Sequence, residues 1–152
     1  MNRLLLKLAI AATGSSLLSS GPAVPQILPS AKKAANVQIT QGPVLELAVD
    51  DFAIIRWITT NPRGADEHFG IVHYGTNPKE LSQTAKSHIR LNGGHPETIF
   101  RVRVNGLKPQ TTYYYTVTSM ESNGESDGVE SPVNRFTTPG PGERVVTYPQ
   151  PR

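Results

Sequence analysis

Short runs of alternating apolar and polar residues recur through most of this sequence, and they constrain its fold more than any other feature. Successive side chains of a β-strand point to opposite faces, so each run can bury one face and expose the other. The clearest run, residues 52–60, places Ile55 and Trp57 on one face and Ile54 and Arg56 on the other. Because no helical period of apolar residues is sustained, the sequence predicts an all-β protein.

Turn residues divide the chain into segments of about eight to twelve residues, a spacing that is typical of a two-layer β-sandwich. Strong turn signals are Asp50-Asp51 and Asn105-Gly106. The predicted strands are residues 37–40, 45–49, 52–60, 68–74, 82–87, 99–104, 113–118 and 134–138. Counted as seven main strands with short extras, they predict a seven-stranded immunoglobulin-like β-sandwich over residues 37–139.

The composition limits the classes of protein to which the chain can belong. A length of 152 residues with 37% hydrophobic residues fits one domain with one core. The net charge of +3 is small for a nucleic-acid-binding protein, so no nucleic-acid partner is predicted. The absence of cysteine excludes disulfides, zinc thiolates and cysteine nucleophiles.

The N-terminal segment has the layout of a signal peptide. Arg3 and Lys7 accompany an apolar stretch that continues to Leu18, and small residues follow it. This stretch is too short and too interrupted to span a bilayer about 30 Å thick, so residues 1–23 are predicted to be a signal peptide. The protein is therefore expected to be secreted, periplasmic or held at the cell surface.

Two proline-containing segments flank the predicted sandwich. Residues 24–36 are rich in Pro, Ala and Ser and are predicted to be a spacer, because Pro25 and Pro29 prevent a long helix. Residues 140–152 contain several further prolines and are predicted to form an extended, loosely held tail.

The segment from Leu107 to Tyr113, with Pro109 and Thr111 between them, has the form of a tyrosine corner. In that motif the tyrosine ring packs into the core while its hydroxyl bonds a backbone group a few residues upstream. Together with Trp57 on an early strand, the segment resembles the fibronectin type III family over residues 38–139. The resemblance implies an immunoglobulin-like β-sandwich of fibronectin type III type.

A narrower resemblance rests on four short stretches, among them the run from Val72 through Tyr74 to Thr76. The others are Leu81-Ser82-Gln83, residues 106–109 and residues 111–115. Together they resemble the N-terminal β-sandwich of purple acid phosphatases, which precedes a metallophosphoesterase domain in those enzymes. The chain does not contain the set of Asp-x-His, Gly-Asp and Gly-Asn-His runs that the dinuclear metal site of the family needs. No phosphatase residue is therefore carried over, and no catalytic residue is predicted.

Four histidines could suggest a metal site, but their predicted placement argues against one. His68 and His73 differ by an odd number within one strand and should face opposite ways, while His88 and His95 are placed in or beside loops. The acidic loop 121–128 offers oxygen ligands for calcium but lacks the helix–loop–helix pattern and the terminal glutamate. No metal or other cofactor is predicted.

Three arginines form the candidate binding surface. Neighbouring strands of a fibronectin type III sheet bring Arg56 beside Arg101 and Arg103, and alternation places all three on the outer face, with Glu46 nearby. Such a basic stripe can bind an anionic polysaccharide or an acidic protein surface, or it can be a solubilising face.

Three functions are left open. The leading hypothesis is a non-catalytic binding or spacer module with a protein or cell-surface polysaccharide as its partner. The second is an accessory domain of a purple acid phosphatase-like metallophosphoesterase. The third is a structural subunit that self-associates through exposed strand edges.

Overall fold

A computed structural model describes residues 29–147 of the protein. This part of the chain folds into strands without a helix, which confirms the all-β prediction. The strands are β1 (Ile39–Val49), β2 (Phe52–Thr60), β3 (Glu67–Gly75), β4 (Gln83–Arg90), β5 (Glu97–Asn105), β6 (Thr112–Glu121), β7 (Ser126–Glu130), β8 (Asn134–Thr137) and β9 (Arg144–Val146). This part of the chain has nine strands, whereas seven main strands were predicted for the sandwich.

The strands form two antiparallel sheets packed face to face. Sheet A has the order β5-β2-β1-β9, and sheet B has the order β4-β3-β6-β7, with β8 also pairing with β6. Residues of β2 and β5 pair without a shift over nine positions, which confirms the predicted neighbourhood of these two strands. The molecule is therefore a β-sandwich of the immunoglobulin-like class.

Strand β1 joins two runs that were predicted to be separate. Residues 37–40 and 45–49 were divided at Gly42-Pro43, but one strand runs from Ile39 to Val49 and passes these residues through irregular pairing with β2. Gly42 has a φ of 80°, and a Cβ there would lie 2.8 Å from the Arg56 carbonyl oxygen. A β-bulge accommodates such residues without ending the strand.

Two strands fall where none was predicted. Strand β7 begins inside the loop 121–128. Ser126 and Asp127 are typical turn residues, but Ser126 pairs with Met120 near the end of β6 and Glu130 pairs with Thr118. Strand β9 lies within residues 140–152, where an extended, loosely held tail was expected. Its residues, Arg144–Val146, pair with β1, and the Thr147 amide donates to the Glu46 carbonyl at 3.0 Å.

Inward-facing aromatic residues from both sheets form the core. Trp57 and Phe100 stack with their ring centroids 5.1 Å apart, and Tyr113 and Phe136 stack at 5.7 Å. Burial raises the pKa of Tyr115 to about 12 in the same core. The alternation that defined the strands therefore also selected the core side chains.

Gly70 on β3 lies directly beneath the stacked Trp57 and Phe100. A Cβ at this position would be 2.6 Å from Phe100 Cδ1 and 3.0 Å from Trp57 Cη2. The two rings can approach β3 this closely only because residue 70 lacks a side chain.

The tyrosine corner has the geometry that its sequence predicts. The Tyr113 hydroxyl accepts a hydrogen bond from the Lys108 backbone N–H at 2.9 Å, and the ring is buried in the core. Leu107 is buried beside it, while the Thr111 hydroxyl donates to the Pro109 carbonyl at 2.9 Å. Since β5 belongs to sheet A and β6 to sheet B, this corner fixes the connection between the two sheets.

The described part of the predicted spacer packs against the sandwich. Ala31 is buried, the Ala34 amide donates to the Asn61 carbonyl at 2.8 Å, and Lys33 pairs with Asp66 at 2.9 Å. The predicted signal peptide, residues 1–23, lies outside the described residues. Residues 29–147 include no helix of the length and apolarity needed to cross a membrane.

Candidate interaction surface

The outer face of sheet A combines arginines with aliphatic side chains. Its cross-strand rows follow from the pairing register: Gln41, Ile58 and Ile99; Val44, Arg56 and Arg101; Val146, Leu47, Ile54 and Arg103. Arg144 on β9 pairs with Val49 and extends the same side. We call this surface, formed by Arg56, Arg101, Arg103 and Arg144 with the aliphatic residues between them, the arginine face.

Arg101 is held in place by Glu46. Its Nε donates to Glu46 Oε2 at 2.9 Å, and its Nη2 donates to the other carboxylate oxygen. This two-bond pairing raises the pKa of the Arg101 guanidinium, chiefly through the hydrogen bonds. Glu46 was predicted to lie near the basic stripe, and the pair that it forms fixes the orientation of the Arg101 guanidinium plane.

Arg56 and Arg103 also have partners within the protein. Arg56 Nη1 donates to Gln41 Oε1 at 3.1 Å. Arg103 Nε donates to Asn105 Oδ1 at 2.6 Å, and its guanidinium lies 3.4 Å from the centroid of the Phe52 ring. The three predicted arginines thus lie on one face, and each has an oriented guanidinium group.

A shallow groove of about 650 Å³ crosses the arginine face. It is lined by Glu46, Leu47, Ile54, Arg56, Ile99, Arg101, Arg144, Val146 and Thr147. Ile99 and Val146 are 51% and 42% exposed, so aliphatic surface is open to solvent between the cations. A groove with this lining can bind a partner that offers both carboxylates and apolar groups.

Alternation alone identified only part of this surface. It selected Arg56, Arg101 and Arg103 but not Arg144 or Val146, since β9 was not predicted. Ile99 could have been identified from the sequence, because it is an aliphatic residue at an outward position of β5.

A buried polar cluster lies on the other side of the molecule, at the junction of β3, β6 and β7. His68 Nδ1 is 3.1 Å from Asp127 Oδ2, and the Ser119 hydroxyl donates to the same oxygen at 2.6 Å. The second ring nitrogen of His68 is 3.0 Å from the Ala65 carbonyl oxygen. Sequence reasoning missed this cluster, because it placed Asp127 in a solvated loop.

The polar cluster does not have the geometry of a nucleophilic triad. Ser119 bonds the carboxylate rather than the imidazole, so the imidazole is not positioned to take its proton as the base of a triad does. Both nitrogens of His68 face oxygen atoms, and its side chain has no exposed surface. Asp66-Glu67-His68 is an isolated Asp-x-His run, and its histidine serves this structural cluster.

The candidate metal ligands are dispersed or already bonded. His68 and His73 face opposite sides of β3, as predicted, whereas His88 lies within β4 rather than in or beside a loop. In the loop 121–128, Glu121 accepts from Asn123 and from the Ala65 amide. Within residues 29–147, no three His, Asp or Glu side chains are grouped as a metal site would require.

Comparison with protein families identifies the domain. A model of the purple acid phosphatase N-terminal domain matches residues 41–138. The chain belongs to this family. Membership of the purple acid phosphatase N-terminal domain family agrees with the resemblance seen in the runs around Tyr74 and Tyr113, and it concerns the sandwich alone.

Solved structures give weaker likenesses. The sensor domain of the anti-sigma factor RsgI4 from Pseudobacteroides cellulosolvens is 18% identical with a TM-score of 0.48, and the match covers 74% of this chain and 98% of that one. The fibronectin type III domain of human contactin 1 is 20% identical with a TM-score of 0.41, and the match covers 86% and 97%. The comparison with curated proteins found no match. At these scores, neither protein's role is transferred to this chain.

Proposed function

We propose that the chain is an exported, non-catalytic binding module that contacts a macromolecule through the arginine face, in the periplasm, at the cell surface or outside the cell. The observation that carries the proposal is the groove in which exposed aliphatic residues lie between arginines, two of which, Arg56 and Arg101, are oriented by hydrogen bonds. Export is supported by the signal-peptide pattern of residues 1–23.

The composition of sheet A supports a binding role over a solubilising one. Its four strands carry four arginines and no lysine. Arginine is enriched at protein interfaces and lysine is depleted, because the lysine ammonium is strongly hydrated and the planar guanidinium group loses less entropy for each hydrogen bond it forms. A face that served only solubility would not need to leave Ile99 and Val146 uncovered.

Site-specific photo-crosslinking in cells that produce the full chain tests this role. A photoreactive residue at Thr147, which lines the groove, is expected to form a high-mass adduct. The matched control carries the same residue at the exposed Thr84 on the outer side of sheet B and should form none. Equal adduct formation at both positions, or none at Thr147, would contradict a binding role for the arginine face.

The alternative is an accessory domain that acts beside a metallophosphoesterase domain, and the family match favours it. A chromogenic phosphate ester with added iron, zinc or manganese provides the test. Turnover by the chain well above that of a boiled control would contradict a non-catalytic module. Turnover equal to the boiled control is the result expected from the binding proposal.

A second alternative is a self-assembling structural subunit. Strand β5 pairs with β2 over its whole length, and its other edge has no strand partner among residues 29–147. Regular, unpaired edges can add a further strand from another molecule. Size-exclusion chromatography with light scattering distinguishes the possibilities, since the binding module should elute as a monomer and the subunit as a polymer.

A further inference from the structure

We infer that the partner of the arginine face is a protein surface on which carboxylates alternate with aliphatic side chains. This inference rests on the proposed binding role and adds the chemical class of the partner. It selects protein over the anionic polysaccharide that the arginines alone would also allow.

The charge of the groove calls for carboxylates. Arg56, Arg101 and Arg144 line it, and Glu46 is the acidic residue in the same lining. A guanidinium group has five N–H donors, and Arg101 uses two of them on Glu46. The remaining donors can bind a second carboxylate in the fork geometry that guanidinium and carboxylate groups share.

The aliphatic lining favours a protein over a polysaccharide. Leu47, Ile54, Ile99 and Val146 lie between the arginines, and each stabilises a complex only if its apolar surface is removed from water. A polyanionic sugar chain presents hydroxyl, carboxylate or sulfate groups, which leave such surface without an apolar partner. Leucine, valine or isoleucine side chains of a protein can cover it.

Three of the four arginines of the face are held before any partner arrives. Arg56 is bonded to Gln41, Arg101 to Glu46, and Arg103 to Asn105 and the Phe52 ring. Ordering a free arginine at an interface costs conformational entropy, and side chains that are already oriented avoid much of this cost. Such orientation suits a protein partner with fixed carboxylates, whereas a flexible polyanion needs only long-range attraction.

The experiment begins with the adduct formed from Thr147 in the producing cell. Protease digestion and mass spectrometry are expected to show an attached peptide that contains Asp or Glu together with aliphatic residues. A protease-resistant adduct with carbohydrate mass, or a peptide without acidic residues, would overturn the inference while leaving the binding role intact. Absence of any adduct would instead overturn the binding role itself.

A charge exchange then tests the contact directly with the partner protein so identified. Arg101→Glu should weaken binding at least tenfold, and lysine in place of the contacted acidic residue of the partner should restore most of the loss. Arg144→Glu on β9 provides a second variant, since Glu46 lies against Arg101 and could disturb the fold there. Thr84→Glu on sheet B should change binding less than twofold. Failure of both exchanges to restore binding contradicts the inference.

The aliphatic contribution has its own measurement. Ile99→Ser should weaken binding to the identified protein about tenfold, whereas heparin and alginate columns should not retain the parent chain. The face would instead bind polysaccharide if the parent chain were retained on either column, if Ile99→Ser left that retention unchanged, and if a triple variant abolished it. The triple variant combines Arg56→Ala, Arg101→Ala and Arg103→Ala.

Discussion

The outer faces of the two sheets differ in the side chains they present. Sheet A shows arginines and aliphatic residues, whereas sheet B shows a mixture of threonine, histidine and glutamate with two arginines, Arg90 and Arg135, and one lysine, Lys86, on its strands. Phe69 and Ile71 on β3 do face outward, but Lys86 lies over the Phe69 ring and Ile71 is buried. Sheet B thus covers its outward apolar residues with its own side chains, and sheet A leaves Ile99 and Val146 exposed.

The ionic contacts of the two faces differ in the same way. On sheet A, Arg101 Nε is 2.9 Å from Glu46, and Arg103 lies 3.4 Å from the Phe52 ring centroid. On sheet B, the nearest distances from Glu67 to His88 and Arg90 are 3.8 and 3.9 Å, and Lys86 lies 5.2 Å from the Phe69 centroid. Oriented cations and uncovered aliphatic residues therefore occur together on sheet A, and arginine and apolar side chains are also common in protein interfaces.

The largest expected effect is a loss of stability in both sheets together, because they share one core. Gly70→Ala would place a Cβ 2.6 Å from Phe100 Cδ1, so we expect a loss of about 3 kcal/mol in the free energy of unfolding. Urea denaturation measures it. In the control Gly94→Ala, the new Cβ would meet Asn92 Oδ1 at 3.5 Å, and stability should change by less than about 0.5 kcal/mol. Equal stability of the two variants would show that the rings over β3 are not tightly packed.

The next effect concerns the link between the faces. Tyr113→Phe removes the acceptor of the Lys108 N–H and should cost about 1 to 2 kcal/mol, because water can only partly replace it. The adjacent Tyr114→Phe, whose side chain faces outward on sheet B, provides the matched control. Thermal melts should therefore separate the two variants. Coincident melts would mean that the corner contributes nothing to joining the sheets.

A smaller effect concerns the contacts between cations and aromatic rings on the two sheets. A double-mutant cycle on Arg103 and Phe52 should give a coupling of about 0.5 to 1 kcal/mol, since the cation lies close to the ring. The same cycle on Lys86 and Phe69 should give less, because their separation is larger. A larger coupling on sheet B would show that Phe52 does not hold Arg103 more firmly than Phe69 holds Lys86.

The smallest expected effect tests whether the Arg101–Glu46 pair contributes to the stability of the fold. Coupling between Arg101 and Glu46 should be below about 1 kcal/mol, as for other exposed ion pairs, and coupling between Arg90 and Glu67 should be near zero. Chemical denaturation of the four single and two double alanine variants measures both. If the Arg101–Glu46 coupling were several times larger, the pair would be retained for stability, and its value as evidence for binding would fall.

Local pattern was enough to predict much of the sandwich. Strands β2 and β5 alternate strongly, so their faces, the buried Trp57 and the outward Arg56 followed from parity. The tyrosine corner was predictable because its spacing lies within one short segment. These features depend on neighbours along the chain.

The remaining features depend on contacts between residues that are distant in sequence. Strand β7 contains Gly128 and three polar residues, so only its pairing with β6 makes it a strand. Strand β9 has three residues, too few for a period to be visible, and it exists because β1 has a free edge. The His68–Asp127 contact joins positions 59 residues apart, and no local signal marks it.

Strand β9 has a practical consequence for how the domain is delimited. The family match ends at residue 138, while Arg144 and Val146 lie beyond it. A recombinant fragment cut at the family boundary would retain the tyrosine corner and the aromatic core, yet lose one wall of the groove. A domain delimited by homology would therefore lack part of the proposed recognition surface, and we expect such a fragment to bind more weakly in screens than the longer chain.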